Sequence, residues 1–533
     1  MLLLLLSWAP VHAGVPPLVI GTPVGGLLQI PPEALPVYRF WSPVAGKHFY
    51  TVDEAEKAKL LSQYAQVWTY EGVAFRAFAS SAADGRAPVY RFWSPSSGAH
   101  FYTLGEAERD KLLRSYAGIW MYEGVAFYAY PAGRQPAGTL PVHRFWSGSL
   151  ATHFYTTSDT ERFKLVSSYA GTWAYEGAAW YAHPAQAATT IAITKGPYIQ
   201  ETAPDSVTIL WQTDVAAESV VQYGIGTPDA FTASDSSAAT LHRITLSGLA
   251  PGVIYAYKAA SGSASQTGAF RTAPAADQPF RFVVYGDTRT NTEVHRQVAA
   301  GVAASGPDIV FHTGDLVGAG RDYGIWDTEF FGPAGALMLS TPVVPVLGNH
   351  EYGGAGPLWF FYFFDRPVNE GWLAMTYGNV RFLGLDTNID YSPGSPQYEW
   401  LVEELQSAAY RDATWHIALF HHPPFTSTTG HPDDATVQRH LVPLFEQYGV
   451  DAVFSGHNHI YERYLYDGVH YIVTGGGGAP LYALTPDTVP PLRQFGLSAY
   501  HYCVVDVDPS AGTLTIAATG LDGQVFDAVV LSK

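Results

Sequence analysis

A chain of 533 residues in which 47% of the side chains are apolar is long enough for about three domains, each with its own buried core. Its 47 acidic side chains against 29 Lys and Arg leave a formal charge of −18, which argues against a nucleic-acid backbone as the main partner. Past the first residues no apolar run is long enough to span a bilayer, and the single cysteine, Cys503, excludes an intrachain disulfide.

The chain opens with Leu2 to Leu6, followed by Ser7-Trp8-Ala9-Pro10-Val11-His12-Ala13. An apolar run ending in small residues at Val11 and Ala13 predicts a signal peptide over 1–13, although no Lys or Arg precedes the leucines. The expected location is secreted, periplasmic or cell-surface. Residues 14–35 are rich in Pro and Gly and are expected to be a linker.

A threefold repeat fills residues 36–184. Tyr38-Arg39-Phe40-Trp41-Ser42 returns as Tyr90-Arg91-Phe92-Trp93-Ser94 and as His143-Arg144-Phe145-Trp146-Ser147. His48-Phe49-Tyr50-Thr51 and Tyr70-Glu71-Gly72 return with the same spacing, and a helical stretch such as Glu54 to Tyr64 lies between them. Each unit reads strand, strand, helix, strand. One unit cannot bury its aromatic face alone, whereas three can close around a pseudo-threefold axis. The pattern resembles an accessory repeat of secreted bacterial proteins. Two readings of Phe40, Trp41, Phe49 and Trp68 are open: a plain aromatic core, which is the simpler, or a platform for a glycan or cell-wall polymer. The repeated Arg and His are expected to pair with the repeated Glu; one His per unit is too few for a complete zinc site.

Residues 188–274 alternate as β-strands do, in Val207 to Trp211 and Ser219 to Tyr223. Leu246 to Tyr257 resembles the tyrosine-corner region of a fibronectin type III β-sandwich, and Lys195 to Gln200 followed by Trp211-Gln212 resembles the amino-terminal domain that precedes the catalytic domain in purple acid phosphatases. This module is expected to be a spacer, joined through Ala273 to Gln278 to a catalytic domain over 279–533. With a linker near 183–190, the repeat is expected to be dispensable for chemistry.

Within 279–533, five short apolar runs break into residues that bind metal. Phe282 to Tyr285 ends in Gly286-Asp287, and Ile309 to Thr313 ends in Gly314-Asp315. Val343 to Leu347 ends in Gly348-Asn349-His350-Glu351. His416 to Phe420 ends in His421-His422, and Asp451 to Ser455 ends in Gly456-His457-Asn458-His459. Runs of this kind read as buried strands, and their carboxyl ends form the ligand crevice of an open α/β sheet. Helices are expected over Asn291 to Ala304, Gln397 to Ala408 and Asp434 to Tyr448, a strand over Val469 to Thr474, and a β-meander over 500–533. Gly475-Gly476-Gly477-Gly478 permits a tight loop close to the crevice, or is an ordinary turn. The donor mix of Asp, Asn and His suits two divalent or trivalent cations.

The ordered set of five motifs resembles the calcineurin-like metallophosphoesterase superfamily, and Gly456 to Arg463 (Gly-His-Asn-His-Ile-Tyr-Glu-Arg) resembles its purple acid phosphatase branch. The resemblance implies a four-layer α/β sandwich with two metal ions (Fe, Zn or Mn). It implies Asp287, Asp315 and His459 on the first metal, and Asp315, Asn349, His421 and His457 on the second. It also implies hydrolysis of phosphate esters by a metal-bridging hydroxide, with Asp315 as the shared ligand. His350 and His431 are the candidate proton donors. Two departures stand out. Arg289 occupies the place where the wider superfamily has His in Asp-x-His. Gly318 stands where purple acid phosphatases have the tyrosine of Gly-Asp-x-x-Tyr, so neither the colour nor a preference for ferric iron carries over. Water or Tyr323 is available to fill that gap, and Arg289 either grips a phosphate oxygen or pairs with an acid.

The leading expectation is an exported phosphomonoesterase acting on a phosphorylated small molecule. The alternatives are a phosphodiesterase or nucleotide hydrolase, and a cell-surface or glycan-binding protein with a vestigial catalytic domain.

Overall fold

The structure is a computed structural model that describes residues 30–81, 85–136, 138–185, 191–353, 357–364, 371–486 and 493–533. The expected signal peptide and residues 14–29 of the expected linker lie outside the described residues. Leu35, assigned above to the linker, already begins a strand.

Three sheets of three strands share one order, with the Arg-Phe-Trp-Ser strand in the centre. Leu35–Ser42 is flanked by Lys47–Thr51 and Thr69–Ala77, Ala87–Ser94 by Ala99–Thr103 and Met121–Ala129, and Leu140–Ser147 by Thr152–Thr156 and Ala174–Ala182. No sheet of three strands buries much by itself, so the three point Val37, Tyr50, Phe75 and their counterparts into one shared core. At its centre, each tyrosine hydroxyl donates to the next unit's backbone: Tyr50 to Tyr155 O, Tyr155 to Tyr102 O, and Tyr102 to Tyr50 O, at 2.7–2.8 Å. Ion pairs close a second ring outside the first. Arg39 grips Glu161, Arg91 grips Glu56 and Arg144 grips Glu108, each through two nitrogens at 2.9–3.1 Å. The same arginines also reach Glu71, Glu123 and Glu176, which face His48, His100 and His153. The repeated Arg and His are thus partners of glutamates. Phe40 and Phe49 are core, whereas Trp41 and Trp68 are only half-buried.

Residues 193–271 form five strands in one hydrogen-bonded sheet. Its longest strand, Ser206–Gly224, breaks register between Gln212 and Ser219, so its first half pairs with Ile193–Gln200 and its second with Ile254–Ser261. The Tyr255 hydroxyl accepts from the Ala250 N–H, as a tyrosine corner does. This module is more than a spacer. Tyr198 Oη donates to Phe363 O, Gln200 to Val343 O and Tyr257 Oη to Leu339 O, all across the boundary with the next domain. Buried Lys195 pairs there with Asp327 at 2.8 Å. The N-terminal module touches the same domain, with Phe163 packed edge-on against Tyr362 at 5.0 Å. Contacts therefore cross near the boundary where few were expected.

From Phe280 onward two sheets stack. One has six strands in the order Val343–Pro345, Ile309–His312, Phe280–Tyr285, His501–Asp508, Thr513–Gly520, Val525–Ser532. The other has seven: Leu373–Tyr377, Val380–Gly384, Trp415–Phe420, Ala452–Ser455, Val469–Thr474, Tyr461–Tyr466, Arg493–Leu497. Phe282, Phe311, Phe382, Leu419, Phe454, Ile472 and Cys503 fill the space between them. Cys503 is buried and apolar in role, as expected of an unpaired cysteine in a strand. Helices Thr292–Ala304 and Gly332–Met338 cover one outer face, and Pro396–Leu405 and Val442–Tyr448 the other, giving four layers. The single helix expected over Asp434 to Tyr448 is two, Ala435–His440 and Val442–Tyr448, because Pro443 cannot continue the first and starts the second well. The strands carrying the motifs run parallel within each sheet, so their carboxyl ends meet at one edge of the sandwich.

Three histidines inside these cores make the fold acid-sensitive. Burial pushes His242, His295 and His501 down to about 4. The unfolded chain takes up these protons near pH 6.5, and the folded chain only near pH 4. Stability is therefore whole above pH 6.5 and falls as the pH drops toward 4, by about 3 kcal/mol for each such histidine. Urea midpoints at pH 7.5 and 4.5 measure this, and His242→Gln is expected to flatten part of the slope. Equal midpoints at the two pH values would contradict it.

Candidate metal centre

Asp287, Asp315 and His457 sit just past their strands with left-handed φ of 59°, 56° and 68°. An L-residue adopts this conformation only at a cost of about 1–2 kcal/mol, so packing must enforce it. It turns each side chain from the strand direction into the crevice. Asp287 N–H donates to Gly314 O and Thr288 N–H to Asp315 O, which ties the first two motifs together. Both carboxylates of Asp287 and Asp315 are buried.

Glu351 organises the next link. Fully buried, it accepts from the N–H groups of Asp315, Leu316, Val317 and Gly348 at 2.8–3.3 Å. One carboxylate thus ties the second motif to the third. Burial, and then the charge of Asp315, push its carboxyl up to about 8, against the pull of those donors.

Around Asp315 the side chains converge. His421 Nε2 lies 3.4 Å from Asp315 Oδ1, 3.0 Å from Asn349 Oδ1 and 3.2 Å from His457 Nδ1. His421 Nδ1 donates to Thr313 O at 2.9 Å, so Nε2 carries the lone pair. His459 Nδ1 donates to Pro480 O at 2.7 Å, leaving its Nε2 lone pair 3.6 Å from Asp287 Oδ1. Backbone carbonyls set both tautomers, as they do for metal-ligating histidines. Burial pushes His421, His457 and His459 down, keeping them neutral; His457 is also lowered by its three neighbouring histidines. Burial and then Asp315 push Asp287 up. A crowd of facing lone pairs and two buried carboxylates is a donor set that a cation completes. The ligand atoms of Asp287, Asp315 and His421 lie within 4.8 Å of one another, as do those of His421, His422 and His457.

The remaining candidates flank this group. His350 Nδ1 donates to Gly318 O, and its Nε2 faces Asp315 Oδ2 at 3.8 Å. Arg289 donates from Nε to Asp315 Oδ2 at 3.3 Å and from Nη2 to His459 Nε2 at 3.4 Å. His431 is exposed at the rim and stacks on His457 with ring centres 4.0 Å apart. All nine residues singled out in the sequence lie in one crevice. Tyr323 does not: its hydroxyl donates to Gln212 and accepts from Lys195, so it is committed elsewhere.

Several contributors escaped the sequence reading. The strand Val380–Gly384 ends in Leu385-Asp386-Thr387-Asn388 at the same edge, and Thr387 Oγ1 holds His422 through its ring and its N–H. Asn458 accepts from His431 N–H and donates to His431 O, fixing the rim loop. Tyr482 lies face to face with His459 at 4.3 Å. The four-glycine stretch, which the sequence did offer as a tight loop beside the crevice, is no ordinary turn: a Cβ at Gly475 would meet Asn458 O at 2.3 Å, and one at Gly477 would meet Gly286 O at 2.3 Å. Of these, the Leu-Asp-Thr-Asn strand end was open to detection, since it repeats the pattern of an apolar run breaking into polar residues.

Residues 280–461 match the family model of the calcineurin-like phosphoesterases. The chain carries a calcineurin-like phosphoesterase domain. With this domain it is a metal-dependent phosphoric ester hydrolase. Residues 32–188 match a second family, described as a domain of unknown function (DUF5648). Probable purple acid phosphatase 20 of Arabidopsis thaliana is 26% identical over 53% of this chain and 73% of its own length. A nucleotide pyrophosphatase/phosphodiesterase of Hordeum vulgare is 25% identical over 42% of this chain and 72% of its own. Among solved structures, a purple acid phosphatase from yellow lupin (Lupinus luteus) seeds superposes with a TM-score of 0.56 at 22% identity, over 63% of this chain and 74% of the lupin chain. That likeness extends to the fold. Among the described residues no helix is long and apolar enough to cross a membrane.

Proposed function

We propose that the phosphoesterase domain hydrolyses phosphate monoesters with two metal ions, held by Asp287, Asp315 and His459 on one side and by Asp315, Asn349, His421 and His457 on the other. The observation that carries this reading is the convergence of six donor side chains from five strand ends around the Asp315 carboxylate. When bound, the ions (Fe, Zn or Mn) supply Lewis acidity toward the phosphoryl oxygens and acidify water near neutral pH. Asp315 spans the two sides, and Glu351 holds the Asp315 backbone in place. Arg289 and His350 both face Asp315 Oδ2, which puts a guanidinium and an imidazole beside a bound phosphoryl group. Exposed His431 stands at the rim, where a leaving-group oxygen emerges and needs a proton.

The barley relative, named as a nucleotide pyrophosphatase/phosphodiesterase, motivates a second reading as a diesterase or nucleotide hydrolase. Turnover of p-nitrophenyl phosphate and bis-p-nitrophenyl phosphate by the protein loaded with manganese, zinc or iron separates the two. The monoester is expected to be preferred. Turnover of the diester alone would favour the second reading, and turnover of neither would overturn both.

The N-terminal module is read as an attachment device for a glycan or cell-wall polymer on an exported enzyme, supported by the repeated half-exposed tryptophans. The five-stranded module is read as a relative of fibronectin type III domains, supported by its tyrosine corner. A truncated protein beginning at Thr189 is expected to hydrolyse a soluble aryl phosphate within about threefold of the full chain, because every candidate ligand lies beyond Gly286. It is expected to melt lower, by about 2–4 °C for each kcal/mol lost with the Phe163–Tyr362 contact. It is also expected to lose co-sedimentation with wall material. Lost turnover in a folded, metal-bound truncated protein would show that the module helps to build the site. Equal sedimentation of both forms would remove the support for attachment.

A further inference from the structure

The two halves of the metal centre are not equivalent in this chain, and Arg289 is the reason. The His421 half offers four protein donors: Asp315, Asn349, His421 and His457. The Asp287 half offers three, Asp287, Asp315 and His459. Gly318 brings no side chain to it, and Tyr323 is held by Lys195 and Gln212. Two carboxylates meet in the Asp287 half and one in the other, so charge alone would make the Asp287 half the stronger cation site. Arg289 reverses that advantage. Its guanidinium touches Asp315 Oδ2 at 3.3 Å and His459 Nε2 at 3.4 Å, two of the three atoms on that side. The side chain is 17% exposed, so water screens its charge only partly.

We propose that Arg289 makes the centre take up its two cations unequally, one tightly in the His421 half and one weakly in the Asp287 half. A fixed positive charge next to two of three donors opposes a second cation there and competes for the His459 lone pair. It opposes the His421 half less, because the guanidinium faces the other oxygen of the shared carboxylate. The working centre is then sensitive to the free concentration of metal in its surroundings, with the weak half as the sensor.

This inference rests on the two-metal reading above, and titration with manganese distinguishes the failure of either. Metal-free full-length protein is titrated with Mn2+, and free ion is read from its paramagnetic resonance signal. One equivalent is expected to bind at least tenfold more tightly than the second. Arg289→Met keeps most of the volume, removes the charge, and is expected to tighten the second equivalent at least tenfold while leaving the first within about threefold. Arg289→Lys keeps the charge on a shorter reach and is expected to preserve most of the gap. Asp287→Asn is expected to abolish the weak equivalent alone. Two equal equivalents in the unmodified protein, or a second equivalent unmoved in Arg289→Met, would overturn the inference while leaving the two-metal reading standing. No bound manganese in any form would overturn the two-metal reading itself. Thermal melting of each variant checks that it is folded, and Arg289→Met is expected to melt within a few degrees of the unmodified protein because Arg289 lies at the crevice edge.

Discussion

Asp315→Asn is expected to lower turnover on the order of 10²–10³-fold, the size of loss that follows removal of one group from a preorganised electrostatic site. The substitution is nearly isosteric, so the fold has no steric reason to respond. What changes is charge: the one carboxylate facing His421 on one side and Arg289 and His350 on the other becomes neutral. Bound manganese is expected to fall with the rate. Glu351→Gln should act differently. Its new NH2 group would face two of the N–H groups that the carboxylate now accepts from, leaving buried donors unmatched. That costs about 1–3 kcal/mol of stability for each unsatisfied group. Metal affinity should drop by roughly 10–100-fold, as for partners that orient ligands rather than bind metal. Turnover at saturating metal separates the two variants, because added metal should rescue Glu351→Gln in part and Asp315→Asn hardly at all. Unmodified rate and metal content in Asp315→Asn would remove Asp315 from the centre.

Gly475→Ala is expected to damage the protein more broadly. The added methyl would lie 2.3 Å from Asn458 O and 2.9 Å from Asp287 Oδ2. Overpacking costs about 1–3 kcal/mol where side chains can yield, and here the closest neighbour is backbone, so a loss at the upper end of that range or beyond is expected. The loop that would shift carries Pro480, whose carbonyl orients His459, and Ala479, whose N–H donates to Asp287 O. Melting temperature and manganese uptake should therefore fall together. Gly335→Ala is the control. It lies in the helix Gly332–Met338, with nothing within 4 Å of the added Cβ, and should be neutral or stabilising by about 0.5–1 kcal/mol. A Gly475→Ala protein that melts and binds manganese like the unmodified one would show that the four glycines are no more than a turn.

The motifs were legible because their signal is local. Each is an apolar run of strand length, followed within two or three residues by a donor, and that pattern follows from how a strand enters and leaves a buried sheet. Strand ends such as Tyr285-Gly286-Asp287 were readable without any knowledge of what lies opposite. The repeat was legible for a similar reason, since identical residues at positions 52 and then 53 apart must do the same job. Helix limits were less so: Pro443 divides a stretch whose apolar spacing runs straight through it.

What the sequence by itself determined is which side chains are the candidate donors and the order in which the strands deliver them. The tertiary structure decided which donors share a neighbour. Tyr323 had the right chemistry and a suitable place in the chain for a metal ligand, yet Lys195 and Gln212, more than a hundred residues upstream, hold its hydroxyl. Glu351 was only the last residue of the third motif, and it is the carboxylate onto which two motif loops close. Arg289 read equally as a phosphate clamp or a surface ion pair, and its guanidinium lies against Asp315 and His459. In each case the partner is distant in the chain. Local backbone preference extends over a few residues, whereas a hydrogen bond between remote segments depends on how whole sheets and modules pack, and that information is spread over every residue of the cores between them.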